Sequence, residues 1–141
     1  MSKTRASSVT DALRAAGLKA TPQRLAVAEC LMRDHNHPTA LDLHARLRLR
    51  FPSMSVATVY NTLRALESVS QCRQLEMGGS SRFDPTVEPH DHAVCELCGA
   101  IRDVGLAGSQ RGESSCSLPG FRVARVERIY RGVCAKCANA A

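Results

Sequence analysis

The sequence predicts an α+β protein in two parts, and three observations support this fold class. Apolar residues recur at helical spacing through the first half of the chain. Two strand-like runs joined by a pair of glycines follow, and short strand-like segments then surround two Cys-x-x-Cys pairs. We therefore expect a helical domain with a hairpin at residues 1–84, a hinge at residues 85–89 and a smaller α/β domain at residues 90–141.

The first two predicted helices are recognised by their ends. A short helix over Val9–Ala16 is followed by Gly17, and glycine commonly ends helices. The second helix has Thr21 as a possible cap and Pro22 at its first position, and it should end near Asp34. Its apolar residues at helical spacing are Leu25, Ala28, Leu31 and Met32.

Two more helices are predicted before the hairpin. The third opens at Pro38-Thr39 and is closed by Phe51-Pro52, since a residue before proline disfavours the helix. The fourth is capped by Ser53-Met54-Ser55. The predicted apolar stripes are Ala40, Leu43 and Leu47 in the third helix and Val56, Val59, Leu63 and Leu66 in the fourth.

A hairpin is predicted directly after these helices. Gln71–Met77 and Ser80–Asp84 form two strand-like runs joined at Gly78-Gly79, a two-glycine turn. Helices followed at once by a hairpin are typical of a winged helix-turn-helix domain, whose recognition helix enters the major groove of DNA. Residues 1–80 carry +5 of the chain's net charge of +6, which favours a polyanion partner, although a solvated basic face is about as common.

We therefore expect double-stranded DNA as the partner of the first domain. The side chains expected at base edges are Ser55, Thr58, Tyr60, Asn61 and Arg64, and those expected at phosphates are Lys19, Arg24 and residues of the wing. For any one of the five residues expected at base edges, a place on a solvated helix face is nearly as well supported.

The second domain is predicted from three strand-like segments. The segments at residues 90–95 and 100–104 should pair around a zinc knuckle at Cys95–Gly99, and Phe121–Val133 should form a longer third strand. The Gly- and Ser-rich stretch Gly105–Pro119 favours a frayed helix or a loop, because glycine costs about 1 kcal/mol relative to alanine inside a helix.

Two Cys-x-x-Cys pairs predict a structural zinc site made by Cys95, Cys98, Cys134 and Cys137. Four thiolates complete a closed tetrahedral site. The 35 residues between the pairs exceed the roughly 15 to 20 of a compact zinc ribbon, so a folded segment should lie between them. Two disulfides or a redox dithiol are the alternatives, but the charged N-terminal stretch shows no secretory pattern, which favours reduced thiols in the cytoplasm.

The other features of composition set limits on the function. Cys30, Cys72 and Cys116 fall outside the pairs, and Cys30 is expected in the core. No apolar run is long enough to span a bilayer, so we expect no membrane partner. The sequence shows no phosphate-binding glycine loop and no further acid/base constellation, so we expect neither an enzyme nor a small-molecule substrate.

A second metal site is predicted from histidines and aspartates. His90 and His92 alternate on a strand and so face one side, with Asp84, Asp91 and Asp103 close in sequence. Imidazoles and carboxylates together suit Fe(II) or Mn(II). A structural or incidental His-x-His remains the alternative, as does a helix-flanking role for His37 and a half-buried helical position for His44.

Five ordered motifs resemble the ferric uptake regulator family over residues 8–137. They are the run from Thr21 to Arg24, the segment from Pro52 to Leu63, Ser81–Asp84, His90-x-His92-x-x-Cys95-x-x-Cys98-Gly, and Cys134-x-x-Cys137. The resemblance implies a homodimeric, metal-dependent bacterial repressor that binds palindromic operator DNA. It also implies that the C-terminal domain, which holds the structural zinc, makes the dimer.

The resemblance is strongest to the peroxide-sensing branch of the family. It implies that Fe(II) or Mn(II) is the co-repressor and that the regulatory ligands are His37, Asp84, His90, His92 and Asp103. It also implies that peroxide acts through bound Fe(II) to oxidise His37 or His90, which releases the ion and lifts repression.

Several alternatives stay open within this resemblance. A further metal site of many iron-uptake members is expected to be absent, since Pro89 and Val126 stand near its histidine positions. Control of iron or manganese uptake without peroxide sensing is the main alternative. Zinc-uptake control, a metal-dependent enzyme and a thiol switch at Cys95/Cys98 are lesser ones, and Cys72 is a poor candidate for a regulatory ligand.

Overall fold

The computed structural model describes residues 8–77, 79–104 and 118–140, apart from the side chain of Met77. The chain divides into two compact units, the first ending at Val87 and the second beginning at Glu88. The first unit contains helices and a hairpin, and the second contains a sheet and a short helix. The predicted α+β fold class is confirmed.

Four capped helices form most of the first unit. They are α1 (Val9–Ala15), α2 (Pro22–Arg33), α3 (Ala40–Leu47) and α4 (Val56–Ser68). Each is preceded by a Ser or Thr whose hydroxyl accepts a hydrogen bond from a backbone N–H of the first turn, which supplies a partner for a group that the helix cannot satisfy. These caps explain why the predicted starts agree with the structure.

The core of the first unit is apolar and continuous across the four helices. Its fully buried side chains include Leu13, Leu31, Leu43, Leu63 and Leu66. Each such burial contributes roughly 1.5 to 3 kcal/mol relative to an exposed side chain. In α2 the buried set is Ala26, Val27, Ala28 and Leu31. The predicted stripe was therefore displaced, with Leu25 and Met32 only half-buried.

Cysteines outside the two pairs behave as packing residues where they are described. Cys72 is 1% exposed in the core, and burial raises the pKa of its thiol to about 12. Cys30 is half-buried and packs against the same core. The buried Cys72 thiol therefore lacks the accessible setting of a reactive cysteine. Cys116 lies outside the described residues.

The hairpin consists of β1 (Arg73–Met77) and β2 (Ser80–Asp84), which pair antiparallel from Arg73 opposite Asp84 to Met77 opposite Ser80. Gly79 has a φ of +86°, which glycine adopts without a Cβ clash. Gly78, the other residue of the predicted turn, lies outside the described residues. The second strand also meets the chain before α3, where Phe83 N–H donates to the Pro38 carbonyl at 2.9 Å.

The second unit contains a three-stranded sheet and a short helix. Its elements are β3 (Asp91–Cys95), β4 (Ile101–Val104), β5 (Ile129–Gly132) and α5 (Ala135–Ala138). The strand order is β4-β3-β5, with β4 antiparallel and β5 parallel to β3. The turn between β3 and β4 and the helix after β5 each carry part of a Cys-x-x-Cys pair, so the sheet brings the two pairs together.

The predicted long strand at Phe121–Val133 was wrong in extent. Only Ile129–Gly132 forms a strand, and it pairs with His92–Cys95. Because β3 begins at Asp91, it has no backbone groups left to pair with the residues before Arg128. The predicted loop or frayed helix at Gly105–Pro119 falls outside the described residues as far as Ser117.

Among the described residues, each helix is too short or too polar to cross a lipid bilayer.

Candidate metal centres and DNA-facing helix

The loop that carries His37 is fixed where it leaves α2. Asp34 is 7% exposed, and its carboxylate accepts hydrogen bonds from the Asn36 backbone N–H at 2.7 Å and from the Arg46 guanidinium of α3. Burial raises the pKa of Asp34, but these hydrogen bonds outweigh it and hold the pKa below its usual value of 3.8. The ionised carboxylate thus ties α2, α3 and the loop together.

His37 itself has an unusual backbone. It is 1% exposed and has a φ of +57°, a region that residues with side chains seldom adopt. The Arg82 guanidinium of β2 donates to the His37 carbonyl at 3.2 Å. The next two residues are also held, since Pro38 accepts from Phe83 and Thr39 pairs with Arg82 in an antiparallel bridge.

Asp84 lies beside the imidazole of His37 in the first unit. It is 2% exposed, and one carboxylate oxygen, Oδ2, is 3.4 Å from Nε2 of His37. The other oxygen, Oδ1, accepts from the Thr86 backbone N–H at 2.8 Å, which fixes the orientation of the carboxylate. One ring nitrogen and one carboxylate oxygen are therefore placed side by side, as ligands of one ion would be.

Three predicted ligands meet in the second unit. Nε2 of His90 is 3.1 Å, and Nε2 of His92 is 3.5 Å, from the same oxygen Oδ1 of Asp103. His92 is opposite Asp103 in the β3–β4 register, which accounts for this approach. The ring centroids of His90 and His92 are 4.4 Å apart. His90 Nδ1 lies 2.6 Å from the Glu88 carbonyl, which accepts its hydrogen and leaves the lone pair on Nε2.

Asp91, a third candidate carboxylate, has a different place. It is 2% exposed, and its Oδ1 accepts from the Arg128 backbone N–H at 2.9 Å. The Arg128 carbonyl in turn accepts from His92 N–H at 3.0 Å. Asp91 therefore continues the β3–β5 pairing by one step through its side chain, and it does not join the group formed with Asp103.

These donors fit the ions predicted from the sequence. Each unit presents imidazole nitrogen next to carboxylate oxygen, a donor set that accepts Fe(II) and Mn(II). Asp84 and His90 are held by hydrogen bonds to backbone groups, which is a usual support for metal ligands.

The four cysteines of the pairs converge in the second unit. Their sulfurs all lie within 4.8 Å of one another, and Cys98 Sγ is 3.8 Å from Cys134 Sγ. That separation is far longer than a disulfide, whose sulfurs are about 2 Å apart. It matches the edge of a tetrahedron with zinc–sulfur bonds of about 2.3 Å, which is roughly 3.8 Å. The cluster therefore fits zinc and excludes a Cys98–Cys134 disulfide.

The sulfurs differ in their electrostatic settings. The backbone N–H of Cys134, followed by that of Cys98, lowers the pKa of the Cys95 thiol to about 6. The backbone N–H of Cys137 lowers the pKa of Cys134. Hydrogen bonds with the Cys134 and Cys98 sulfurs raise the pKa of Cys137 to about 12. A divalent ion supplies the positive charge that lets all four sulfurs be thiolates together.

The residues predicted to face DNA occupy different environments on α4. Asn61 and Arg64 are exposed, whereas Tyr60 is half-buried and packs against the core. Ser55 Oγ caps the helix by accepting from Thr58 N–H at 3.1 Å, and it lies 3.0 Å from Thr58 Oγ1, so the two hydroxyls are hydrogen-bonded to each other. The structure thus leaves Asn61 and Arg64 as the longest exposed polar side chains of the set.

The predicted phosphate contacts lie at the start of α2. Lys19 is exposed, and its carbonyl accepts from the Arg24 guanidinium at 3.0 Å. The Arg24 guanidinium is therefore held against the backbone of Lys19 just before α2.

Two arginines were missed by sequence reasoning. The sequence pattern assigns no role to Arg46, and Arg82 enters only within the Ser81–Asp84 motif. The alternation of β2 could have placed Arg82 on the side of Asp84, because residues two apart share one face of a strand. Nothing in the sequence pattern indicates the pairing of Arg46 with Asp34, twelve residues away.

Comparison with known proteins identifies the family. The profile described as "Ferric uptake regulator family" matches residues 15–137. The chain belongs to the ferric uptake regulator family. It is 40% identical over 131 residues to the Peroxide operon regulator of Bacillus subtilis, with 92% of this chain and 90% of that protein covered.

Solved structures of the family share the fold. The ferric uptake regulator of Vibrio cholerae is similar with a TM-score of 0.70 at 27% identity, covering 89% of this chain and 98% of that one. A structure described as the basis of peroxide sensing and gene regulation by PerR from Streptococcus pyogenes has a TM-score of 0.51 at 27% identity, covering 92% and 90%. The expected resemblance to this family is therefore confirmed.

Proposed function

We propose that this chain is a metal-dependent transcriptional repressor that binds palindromic operator DNA as a homodimer and is derepressed by peroxide. The observation that carries the proposal is the pairing of nitrogen and oxygen donors on either side of the predicted hinge at residues 85–89. These donors occur in a chain 40% identical to a protein named for peroxide regulation. Members of the family are regulators, so the chain is not an enzyme.

The first unit is proposed to be a winged helix-turn-helix domain with α4 in the major groove. Asn61 and Arg64 would read base edges from the exposed face of α4, with Ser55, Thr58 and Tyr60 at its start and edge. Lys19, Arg24 and the β1–β2 hairpin would contact phosphates. Phosphate contacts fix the register of the protein on DNA without reading sequence, and base contacts supply specificity.

One regulatory ion is proposed to take ligands from both units. They are His37 and Asp84 of the first unit and His90, His92 and Asp103 of the second. An ion bound by both sets favours one arrangement of the units by its difference in affinity for the bound and unbound arrangements. A dimer held in that arrangement presents two α4 helices to two half-sites of the operator.

Peroxide sensing is proposed to act through the ligands themselves. When bound, Fe(II) supplies the electron that converts peroxide into an oxidant within reach of the ligands, whereas Mn(II) is a poorer reductant. His37 and His90 are the proposed targets, and oxidation of either removes a donor from the set. The remaining donors then hold the ion more weakly, and the arrangement that binds DNA loses its support.

The Cys cluster is proposed to hold structural zinc rather than to sense. Cys95 ends β3, so a zinc ion there would fasten the strand that carries His92. The second unit that contains this cluster is proposed to form the homodimer. The repressor is proposed to work in the cytoplasm, where its operator lies.

Control of iron or manganese uptake without peroxide sensing is the second candidate. It is favoured by the similarity in fold to the ferric uptake regulator of Vibrio cholerae. The metal ligands would be the same, and the difference would lie in the response to peroxide.

The test of the proposal is operator binding with and without Mn(II). The operator is first obtained by selecting sequences from a random DNA pool with the Mn(II)-loaded protein. We expect binding to need the metal, to weaken with salt because phosphate contacts release counterions, and to be lost in His92→Ala. DNA binding that is indifferent to both Mn(II) and His92→Ala would contradict the proposal.

The two groups of DNA contacts can be separated by their effect on specificity. Asn61→Ala should relax the preference at one base position and weaken specific binding by about 1 to 3 kcal/mol. Lys19→Ala should weaken binding to all sequences alike and lower the salt slope by about one counterion. Equal effects of both variants on operator and random DNA would exclude α4 as the reading helix.

A further inference from the structure

Arg82 links the strand that carries Asp84 to the loop that carries His37. We propose that Arg82 is a positioning residue for the regulatory ion, because its guanidinium fixes the backbone of His37 and so sets the ring beside Asp84. The inference rests on the proposed function, in which His37 and Asp84 are ligands. It concerns contacts within the first unit.

The backbone of His37 needs such a support. A φ of +57° is costly for a residue with a side chain, and the next residue is a proline, which further restricts the backbone. Conformations of this kind persist where their surroundings determine them. Here the Arg82 guanidinium donates to the His37 carbonyl at 3.2 Å, so it holds the backbone of the residue that has the unusual torsion.

One strand holds His37 at two points. Arg82 and Asp84 are two residues apart on β2 and share a face of that strand. Arg82 binds the carbonyl of His37, and Asp84 Oδ2 lies 3.4 Å from its ring nitrogen Nε2. Between them, Phe83 N–H donates to the Pro38 carbonyl at 2.9 Å. A change in the position of β2 therefore moves the backbone and the ring of His37 together.

Charge distinguishes positioning from a general electrostatic effect. Arg82 is a cation close in sequence to an ion ligand, and by charge alone it would weaken the binding of a divalent cation. Removing it should then leave metal affinity equal or tighter. A positioning role predicts the opposite sign, a weaker affinity.

The test is direct Mn(II) binding to the zinc-containing dimer, followed by electron paramagnetic resonance of the unbound ion. We expect Arg82→Gln to weaken Mn(II) binding about tenfold, the usual scale for residues that support metal ligands. Arg82→Lys keeps the charge but replaces the planar guanidinium with a single ammonium nitrogen, so a smaller loss is expected. Arg33→Gln removes a charge from an exposed position of α2 and should bind Mn(II) as the wild type does.

A second readout needs no regulatory metal. In Arg82→Gln without Mn(II), hydrogen exchange at the Phe83 amide should be faster than in the wild type, because its acceptor, the Pro38 carbonyl, adjoins the released residue. Exchange at amides inside α2 should be unchanged.

The outcomes separate this inference from the proposed function. Mn(II) affinity of Arg82→Gln equal to or tighter than that of the wild type would overturn the positioning role. Wild-type binding no tighter than that of His92→Ala would instead overturn the regulatory site as a whole. If Arg82→Gln loses its zinc or its cooperative unfolding, the Arg82→Lys variant decides. An Mn(II) affinity of Arg82→Lys equal to that of the wild type would overturn the inference, and a lower affinity supports it.

Discussion

The Cys cluster and the His and Asp donors show two ways of holding a metal in one chain. The four sulfurs belong to one unit and lie within 4.8 Å of one another. They are supplied by the last residue of β3 and by the segments that follow the parallel strands β3 and β5 at the same end of one small sheet. The nitrogen and oxygen donors are divided, with His37 and Asp84 in the first unit and His90, His92 and Asp103 in the second. A cluster inside one unit stabilises that unit, whereas under the proposed function the divided set would couple an ion to the arrangement of the two units.

The chemistry of the donors follows the same division. Four thiolates form a closed tetrahedral site, which leaves zinc no open position. Imidazole and carboxylate donors bind Fe(II) and Mn(II) less tightly and allow exchange with the medium. We therefore assign stability to the cysteine sulfurs and sensing to the His and Asp donors. Substitutions in one group should affect one of these properties and leave the other unchanged.

The largest effect is expected from Cys98→Ser. Structural zinc contributes roughly 10 to 16 kcal/mol of binding free energy in small zinc peptides at neutral pH. We therefore expect the second unit to lose its zinc and its cooperative unfolding transition, measured by metal analysis and calorimetry. Cys30→Ser is the control, since Cys30 is half-buried outside the cluster and should retain zinc. A Cys98→Ser protein with full zinc content would remove the distinction between the two sites.

The second-largest effect is expected from His92→Ala, which should leave the stability of the protein unchanged and abolish its regulation by metal. His92 is 1% exposed and belongs to the donor group with Asp103. We expect Mn(II) affinity to fall by about 100-fold or more, because loss of a residue that only supports a metal ligand already costs about 10- to 100-fold. The zinc content should stay unchanged. The matched control is His35→Ala, which removes an exposed histidine from the loop that carries His37. A parallel loss of zinc in His92→Ala would show that the two sites are not independent.

A smaller effect is expected from Asp34→Asn, which loosens the loop before His37 and leaves the Cys cluster intact. We expect the free energy of unfolding of the first unit to fall by about 1 kcal/mol at pH 7, the value of a typical hydrogen bond. Because the pKa of Asp34 is lowered in the folded state, its contribution is present above the unfolded pKa. It is lost as pH falls through the folded value.

The pH series supplies the check on that prediction. The difference between wild type and Asp34→Asn should shrink below about pH 4, near the pKa of an unfolded aspartate, and vanish at lower pH. Denaturant unfolding at each pH measures it, with Glu29→Gln on the exposed side of α2 as control. A difference that stays constant from pH 7 to pH 2 would mean that the carboxylate charge is not the source.

The sequence was most informative where local chemistry determines the structure. The helix starts were predicted because Thr21 and Ser55 have the hydroxyls that cap a first turn. The cysteine cluster was predictable for a similar reason, since its spacing allows few other arrangements. The donor groups of His37 and of His90 came from residue types and from the resemblance to a family. Their assignment to one ion remains a prediction.

The rest depends on tertiary contacts that spacing does not show. The extent of β5 was overestimated, because the apolar residues before Ile129 precede the point where β3 begins, and the ladder has no partner there. His37, with its φ of +57°, is hydrogen-bonded by Arg82 of β2, which lies far along the chain. The roles of Arg46 and Arg82 likewise depend on which elements come together, and one sequence does not contain that information.

The most direct test of the account is peroxide treatment of the operator complex with Fe(II) or Mn(II). We expect the Fe(II)-loaded protein to leave DNA, to gain an oxygen atom on His37 or His90 in peptide mass spectrometry, and to keep its zinc. The Mn(II)-loaded protein should stay bound to DNA and unmodified. Zinc release and oxidised Cys95 or Cys98 preceding any histidine oxidation would contradict the account, because sensing would then belong to the sulfurs.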